Sequence, residues 1–512
     1  NYNIKLFMSD ECMTKIGIVE VKGILTLYEN FGHLPTNIVK ADGTIENGKK
    51  AHEEVDGLII PGGTLLESET MTPELAEEIN LINDNDGFIL GMCAGFQILA
   101  KHTDVGRNSP VPIIRDGLGL LDVTFGPLIN TNRVNADIVD DTTIFTKGLK
   151  GEQVKGFHCH TYGNIESNDK NVLYSNIERS NYKYKPQRIL SGVANKKGNI
   201  LGTTVHDLLD NNPAVVNNIL EYIDAVDEYE NIKRRNKELS DKVFKEIAIE
   251  TNNIAPLRKQ HPDNPPMIML MGTGSESGKT FLASGIVGAL REKGIHTYVI
   301  KVGPDIRDLS PSLYVNKEKL HDYASIQISN IGWTPLEQVI EDVKGKGYDL
   351  VLVEGVMSAA TGLLNKKTPF STAEVAYAGN IPVIMVSSVN KGGIETAAID
   401  IEAHIELLNK MNIETKGIIL NQTYDPSIVE EVTEFLSNKT GLDKDNIWSI
   451  SKAKVENKGR VPEDYLQLEN FTEAAMNVVK KDLDVMKFVE LAQQPEFRGY
   501  LSYEEICDLY KK

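Results

Sequence analysis

Two short stretches carry residue types at spacings that could do chemistry. One is Gly91-Met92-Cys93-Ala94-Gly95-Phe96-Gln97. A cysteine between near glycines, after an apolar run and before a helix, fits a strained turn that exposes its sulfur. The helix N-terminus would favour the thiolate there. A lone cysteine in an α/β protein is usually a buried hydrophobe, and that is the reading for Cys12 and Cys507; the flanking glycines set Cys93 apart. The other stretch is Gly272-Thr273-Gly274-Ser275-Glu276-Ser277-Gly278-Lys279-Thr280. Its glycines let backbone N–H groups face an anion at a helix N-terminus. Lys279 then reaches the terminal phosphates of ATP and Thr280 can hold Mg²⁺. Gly272 stands one residue further from Gly278 than in the common phosphate loop.

Both stretches need a strand before them and a helix after. Lys15–Val21 reads as a first strand, and Gly57–Ile60 as a second that runs into Pro61-Gly62-Gly63-Thr64, a turn with exposed N–H groups. A helix follows over Glu74–Asn83, then a strand over Gly87–Leu90 and a helix from Phe96 to Ala100. Residues 118–202 are richer in β-branched residues and turns, and Pro213–Val226 makes a closing helix. The second stretch follows the apolar run Met267–Met271 and precedes a helix over Phe281–Arg291. Further strands are expected at Tyr298–Lys301, Leu350–Val353, Pro382–Val386 and Gly417–Leu420. This alternation predicts two doubly wound, mostly parallel α/β domains. The expected boundaries are 1–226 and 267–484. A charged helix and proline-rich segment over 227–266 joins them, and 485–512 forms a helical tail.

The length of 512 residues suits two or three domains. Hydrophobic content of 41% and charged content of 25% are those of a soluble globular protein. A net charge of −19 argues against a nucleic-acid partner and against an anionic membrane surface. The four cysteines form no C-x-x-C pair, which favours a reducing compartment. No apolar run approaches about 18 residues, so no membrane insertion is expected and the expected location is cytoplasmic.

The Cys93 elbow resembles the class I glutamine amidotransferases, in which the cysteine attacks the amide of glutamine, forms a thioester and releases ammonia. Gly202-Thr203-Thr204-Val205-His206 is similar to the G-T-x-x-H segment of the cobyric acid synthase branch, which implies His206 as base. The resemblance also implies Gly63 and Ala94 as oxyanion donors and places Gln97 at the glutamine site. Arg133 is a candidate for the glutamine carboxylate, although a surface arginine reads equally well. Many members carry a glutamate two residues after the histidine; position 208 here is Leu, as in a branch that lacks that acid. Gly117–Thr124 follows the branch's G-L-G-L-L-x-x-x-T pattern. Lys155-Gly156-Phe157-His158-Cys159-His160 sits where the branch has G-[YF]-E-x-H, with His158 in place of the acid. A metal reading of His158 and His160 lacks further ligands at useful spacing.

In the second half, Lys301-Val302-Gly303-Pro304-Asp305 and Val353-Glu354-Gly355-Val356-Met357 place acids at strand ends, where nucleotides bind in doubly wound folds. Mg²⁺ prefers hard oxygen ligands, so Thr280, Asp305 and Glu354 form its expected set. The three segments together resemble dethiobiotin synthetase and the synthetase domain of the cobyrinic acid a,c-diamide synthase and cobyric acid synthase superfamily. Residues 371–374, 382–384 and 417–421 continue the match, and Asn421 would contact adenine by that analogy. Asp305, Asp308 and Glu354 lie towards the carboxylate substrate. Ser358 and Thr361 stand where the family has a glycine and an acid, which puts the substrate more in question than the reaction. Domain order is also swapped relative to those synthases.

The resemblance implies an ATP-hydrolysing amidoligase that uses glutamine as ammonia donor. It would convert carboxylates of a corrinoid or other tetrapyrrole to amides through an acyl phosphate. A cell-wall precursor is an alternative substrate, because the glutaminase half fits that branch too. A partition-type switch ATPase fits less well: such proteins carry an extra lysine where this chain has Thr273 and Gly274, and a Cys93–His206 half has no place in one. Ammonia transfer favours two sites that face each other, within one chain or across a homodimer.

Overall fold

The computed structural model describes residues 13–20, 28–63, 71–178, 187–246, 255–455 and 468–511. Cys12, Val21, Thr64, Lys512 and the stretch 247–254 of the expected linker lie outside them. The chain forms two compact units, one up to residue 246 and the other from residue 255.

In the first unit, β1 (Ile16–Val19), β2 (Asn37–Val39), β3 (Gly57–Ile60) and β4 (Phe88–Met92) pair in parallel. The β-rich stretch supplies β5 (His102–Asp104), β6 (Ile114–Asp116), β7 (Val123–Gly126), β8 (Arg133–Ile138) and β9 (Gln153–Phe157). It continues with β10 (Asn164–Ser167), β11 (Lys170–Asn176), β12 (Arg188–Ala194) and β13 (Ile200–Thr203). One nine-stranded sheet has the order β2-β1-β3-β4-β13-β12-β11-β8-β9, and a four-stranded sheet has β10-β7-β5-β6. Alternate residues of the central strands fill two cores, as the strand period requires. Ile59, Phe88, Leu90 and Met92 face one, and Leu58, Ile60 and Ile89 face the other. Helix Pro73–Asp84 starts on a Thr72 side-chain cap with Pro at its first turn, the pattern that fixes a helix start.

Helix Tyr229–Glu246, read from its charges as a connector, belongs to the first unit. Its apolar stripe of Ile232, Leu239 and Val243 is buried in the same core as Phe31 and Leu34. Charge on its other face hid that role, since an amphipathic stripe reads the same on a spacer as on a packed helix.

The described residues of the second unit form seven strands: β14 (Met267–Gly272), β15 (Thr297–Val302), β16 (Ser325–Ile326), β17 (Leu350–Glu354), β18 (Val383–Ser388), β19 (Thr415–Thr423) and β20 (Ile447–Ser451). Their order is β16-β15-β17-β14-β18-β19-β20, with every pair parallel. β14, β15 and β17 are buried along their whole length, as expected of a parallel sheet covered on both faces. The C-terminal stretch is not one helical tail. Helices Val485–Leu491 and Tyr503–Leu509 flank an extended piece whose Gln493 bridges to Met267, and Phe488 is fully buried against Trp448. No helix among the described residues is long and apolar enough to cross a membrane.

Candidate active sites

Cys93 follows β4 and caps helix Ala94–Leu99 with φ 52° and ψ −105°, a conformation that L residues avoid. The strained turn expected from the flanking glycines is therefore present. A Cβ at Gly95 would lie 2.1 Å from Ile60 O, so only glycine lets the helix start this close to the end of β3. That contact brings Gly62 to the elbow. Cys93 N donates to Thr203 O at 2.8 Å, which ties the elbow to β13, and His206 follows three residues later. A methyl at Gly62 would meet His206 Cε1 at 3.1 Å and Cys93 Cβ at 3.4 Å, so His206 and Cys93 flank the same glycine. The Cys93 thiol points at Cys159 O, 3.6 Å away.

His206 is held on every side but one. Its backbone exchanges two hydrogen bonds with Phe157, whose ring stacks on the imidazole at 5.0 Å, and Tyr28 meets it edge-on at 5.6 Å. Nδ1 donates to Glu29 Oε1 at 2.9 Å, and both side chains are 2% exposed. Nε2 is buried and, among the described residues, has no hydrogen-bond partner. Glu29 Oε2 accepts the Asp207 N–H at 3.0 Å. Burial, then the nearby Asp210 carboxylate, raises the Glu29 pKa well above the usual carboxylate range, against the Asp207 hydrogen bond. Sequence reasoning missed Glu29. It lies 177 residues from His206, and nothing in its spacing marks it among the acids of the chain.

The other expected residues of this half fall as follows. Ala94 is buried at the elbow, Gln97 sits on the helix one turn beyond Cys93, and Arg133 begins β8 on an exposed position. Leu208 is 1% exposed in the hydrophobic core, so the second position after His206 serves packing here. His158 and His160 are not a metal pair. His160 Nδ1 donates to Leu128 O at 2.9 Å, the two rings meet at 2.8 Å, and His158 Nε2 lies 2.9 Å from Ser175 Oγ. All four ring nitrogens are thus engaged. Burial, then the neighbouring His160 and His206, lowers the His158 pKa well below the ordinary histidine value.

In the second unit the phosphate loop links β14 to helix Lys279–Glu292, with Gly278 left-handed at φ 86°. A Cβ at Gly272 would sit 2.6 Å from Ser277 Oγ and 2.7 Å from Lys279 Nζ. The lysine thus folds back over its own loop, where Nζ donates to Ser277 Oγ at 3.1 Å and Met357 O at 3.0 Å. Thr273 Oγ1 is 2.8 Å from Ser387 Oγ, which fastens the loop to β18. Ser275 and Glu276 are exposed at its crest, next to Gly274, whose Cβ position is open. Asn421, expected on adenine, donates its amide to Ser277 O at 2.9 Å and braces the loop from β19.

Parallel register puts Lys301 of β15 opposite Glu354 of β17, and Glu354 opposite Leu270 of β14. Thr280 Oγ1 and Lys301 Nζ both donate to Glu354 Oε1, at 2.7 and 2.8 Å. Asp308 pairs with Lys301 at 2.7 Å. Burial opposes the Lys301 charge, but Asp308 and Glu354 outweigh it and hold its pKa above the ordinary lysine value. Glu354 Oε2 is buried and, among the described residues, has no partner. Asp305 begins the short 3₁₀ turn Ile306–Leu309 at the end of the same strand. Ser371 and Glu374, part of the family-like pattern, form a capping box on helix Thr372–Gly379 and so carry a structural role.

Residues 15–214 match the model of a CobB/CobQ-like glutamine amidotransferase domain, and residues 267–463 match that of an AAA domain. A cobyrinate a,c-diamide synthase of Dehalococcoides mccartyi (strain CBDB1) is 33% identical over 159 residues, 31% of this chain and 33% of the relative. One of Methanobrevibacter smithii is 28% identical over 240 residues, 44% of this chain and 49% of the relative. The chain thus spans between a third and half of the length of these curated relatives. Among solved structures, PurLQS from Thermotoga maritima aligns at 20% identity with a TM-score of 0.31, covering 41% of this chain and 100% of that one. That score is too low to argue from. The chain carries a CobB/CobQ-like glutamine amidotransferase domain first and a P-loop domain second, and relatives named cobyrinate a,c-diamide synthase match part of it.

Proposed function

We propose that the chain is a glutamine-dependent, ATP-hydrolysing amidoligase whose acceptor is a carboxylate of a corrinoid or related tetrapyrrole. The observation that carries the reading is the left-handed Cys93 at an elbow shared with a buried histidine whose Nε2 is unpaired. His206 takes the thiol proton, the thiolate attacks the glutamine amide, and the proton returns to the leaving ammonia. Backbone N–H groups of Gly63 and Ala94 face the developing oxyanion, while Gln97 and Arg133 are the side chains proposed to hold the glutamine.

In the second unit ATP lies along Gly272–Thr280, with Lys279 on its phosphates and Asn421 bracing the loop. The donor set fits Mg²⁺: a hydroxyl and a carboxylate, one of whose oxygens is buried without a partner. Thr280 and Glu354 would hold the ion, with Asp305 at the neighbouring strand end, and the ion would neutralise charge on the phosphates. Phosphate oxygens and water would complete its shell, since Mg²⁺ keeps several waters when it is held by one or two protein oxygens. The relatives named cobyrinate a,c-diamide synthase support the corrinoid acceptor. A panel of carboxylated tetrapyrroles and cell-wall precursors, scored for acceptor-dependent ATP hydrolysis, tests the reading. Stimulation by a tetrapyrrole supports it, and stimulation by cell-wall precursors alone replaces the acceptor.

A further inference from the structure

We infer that Glu29 is the positioning acid of the glutaminase site, delivered from the β1–β2 connection in place of an acid beside the histidine. The inference rests on the glutaminase reading of Cys93 and His206.

The geometry is specific. Glu29 Oε1 accepts from His206 Nδ1, so a neutral ring carries its proton on Nδ1 and presents the Nε2 lone pair. That nitrogen is the buried one with no partner among the described residues, on a ring whose Cε1 borders Gly62 as the Cβ of Cys93 does. The second oxygen of Glu29 accepts from the residue after His206, so one carboxylate fixes both ring and backbone. The site next to the histidine cannot supply the acid, because Leu208 faces the core.

The chain holds Glu29 in place at a conformational cost. Phe31, Gly32 and His33 all have positive φ, at 53°, 61° and 57°. Two of them are not glycine, and such strain persists only where surrounding contacts over-determine it. Those contacts come from the segment after His206. Asp210 accepts the Asn30 and Gly32 N–H groups at 2.5 and 2.7 Å, and Tyr229 donates to Gly32 O at 2.9 Å. The loop bearing the acid and the strand end bearing the base are therefore clasped as one piece.

In turnover, His206 Nε2 takes the thiol proton of Cys93, and the imidazolium that forms keeps its Nδ1–H on Glu29 Oε1. The same proton leaves on ammonia when the C–N bond breaks, so Glu29 exchanges none.

Glu29→Gln tests the role. The amide cannot accept from both His206 Nδ1 and Asp207 N, so the ring turns to the Nε2–H tautomer. Glutaminase kcat should fall at least ~100-fold, with KM for glutamine changed by less than about 3-fold. Glu29→Asp should recover part of the rate. A Glu29→Gln protein with an unaltered melting curve and a kcat within about 3-fold of wild type would overturn the inference. A measurement on the unmutated chain guards against misfolding of the variant. In ¹⁵N-histidine spectra, with His206 assigned by loss of its signals in His206→Asn, Nδ1–H is expected, and Nε2–H would contradict the inference. If Cys93→Ala still hydrolyses glutamine at the wild-type rate, the glutaminase reading itself fails; a dead Cys93→Ala beside a fully active Glu29→Gln defeats only the role of Glu29.

Discussion

Thr280 and Glu354 share one hydrogen bond of 2.7 Å, and through it the start of the phosphate-loop helix is joined to the end of β17. Lys301 uses the same carboxylate oxygen, and the other oxygen is left buried and unpaired. Three segments distant in sequence thus converge on one acid. Removing that acid leaves the Lys301 ammonium buried with only the more exposed Asp308 beside it. Glu354→Ala is expected to destabilise the second unit by about 3 kcal/mol. It should also abolish the effect of Mg²⁺ on nucleotide binding. Denaturant unfolding and titrations with and without Mg²⁺ check both.

Burial, then the Lys301 charge, lowers the Lys279 pKa to about 8, against the pull of Glu354 and Asp308. The free protein therefore keeps this charge below that pH and loses it above. Phosphates bind the charged form, so nucleotide affinity should fall as pH rises past about 8, and binding there should take up a proton. Calorimetry of ADP binding in buffers of different ionisation enthalpy reads it: little uptake near pH 7 and approaching one proton near pH 9. Lys279→Arg should remove the dependence, because a guanidinium stays charged. Lys279→Ala should lose acceptor-dependent ATP turnover on the order of 10³-fold.

Gly95→Ala would press a methyl into the Ile60 carbonyl, a backbone group that cannot rotate away. The expected cost is about 1–3 kcal/mol, with glutaminase activity lost because the elbow must shift. A wild-type melting temperature and wild-type glutamine hydrolysis in this variant would refute the close approach.

Grafting the acid of other relatives should fail. Leu208→Glu places a carboxylate in an apolar core rather than beside His206, so stability should drop by several kcal/mol with no gain in glutaminase rate. Denaturant unfolding with a glutamine assay measures both.

The C-terminal stretch has a structural role that a truncation would expose. Phe488 is fully buried against Trp448, and its replacement by Ala is expected to cost about 3–5 kcal/mol. An exposed position would cost almost nothing.

Much of the scaffold was legible because the strands that matter are short apolar runs ending in glycine or acid. β3 matches the expected Gly57–Ile60, and β14 and β17 extend their expected spans by one residue. Cys93 and Lys279 were legible because glycine-rich turns announce themselves. Glu29 was not, since an acid that acts across the fold leaves no local pattern, and its loop owes its shape to Asp210 and Tyr229. Asn421 is placed on adenine only by analogy; what the sequence could not show is that its amide also donates to the loop backbone, a contact that depends on how closely β19 approaches Gly278. The helix Tyr229–Glu246 and the tail were misread for a shared reason: periodicity shows an apolar stripe but not its partner.

The most direct test of the account follows nitrogen. Glutamine labelled with ¹⁵N at its amide is supplied with ATP, Mg²⁺ and a carboxylated corrinoid, and the product is weighed. The account predicts a labelled amide on the corrinoid from the unmutated protein, none from Cys93→Ala with glutamine, and a labelled amide from Cys93→Ala with ¹⁵N-ammonium. Labelled product made from glutamine by Cys93→Ala would contradict it, as would an unmutated protein that hydrolyses glutamine and ATP yet transfers no nitrogen to any carboxylated tetrapyrrole.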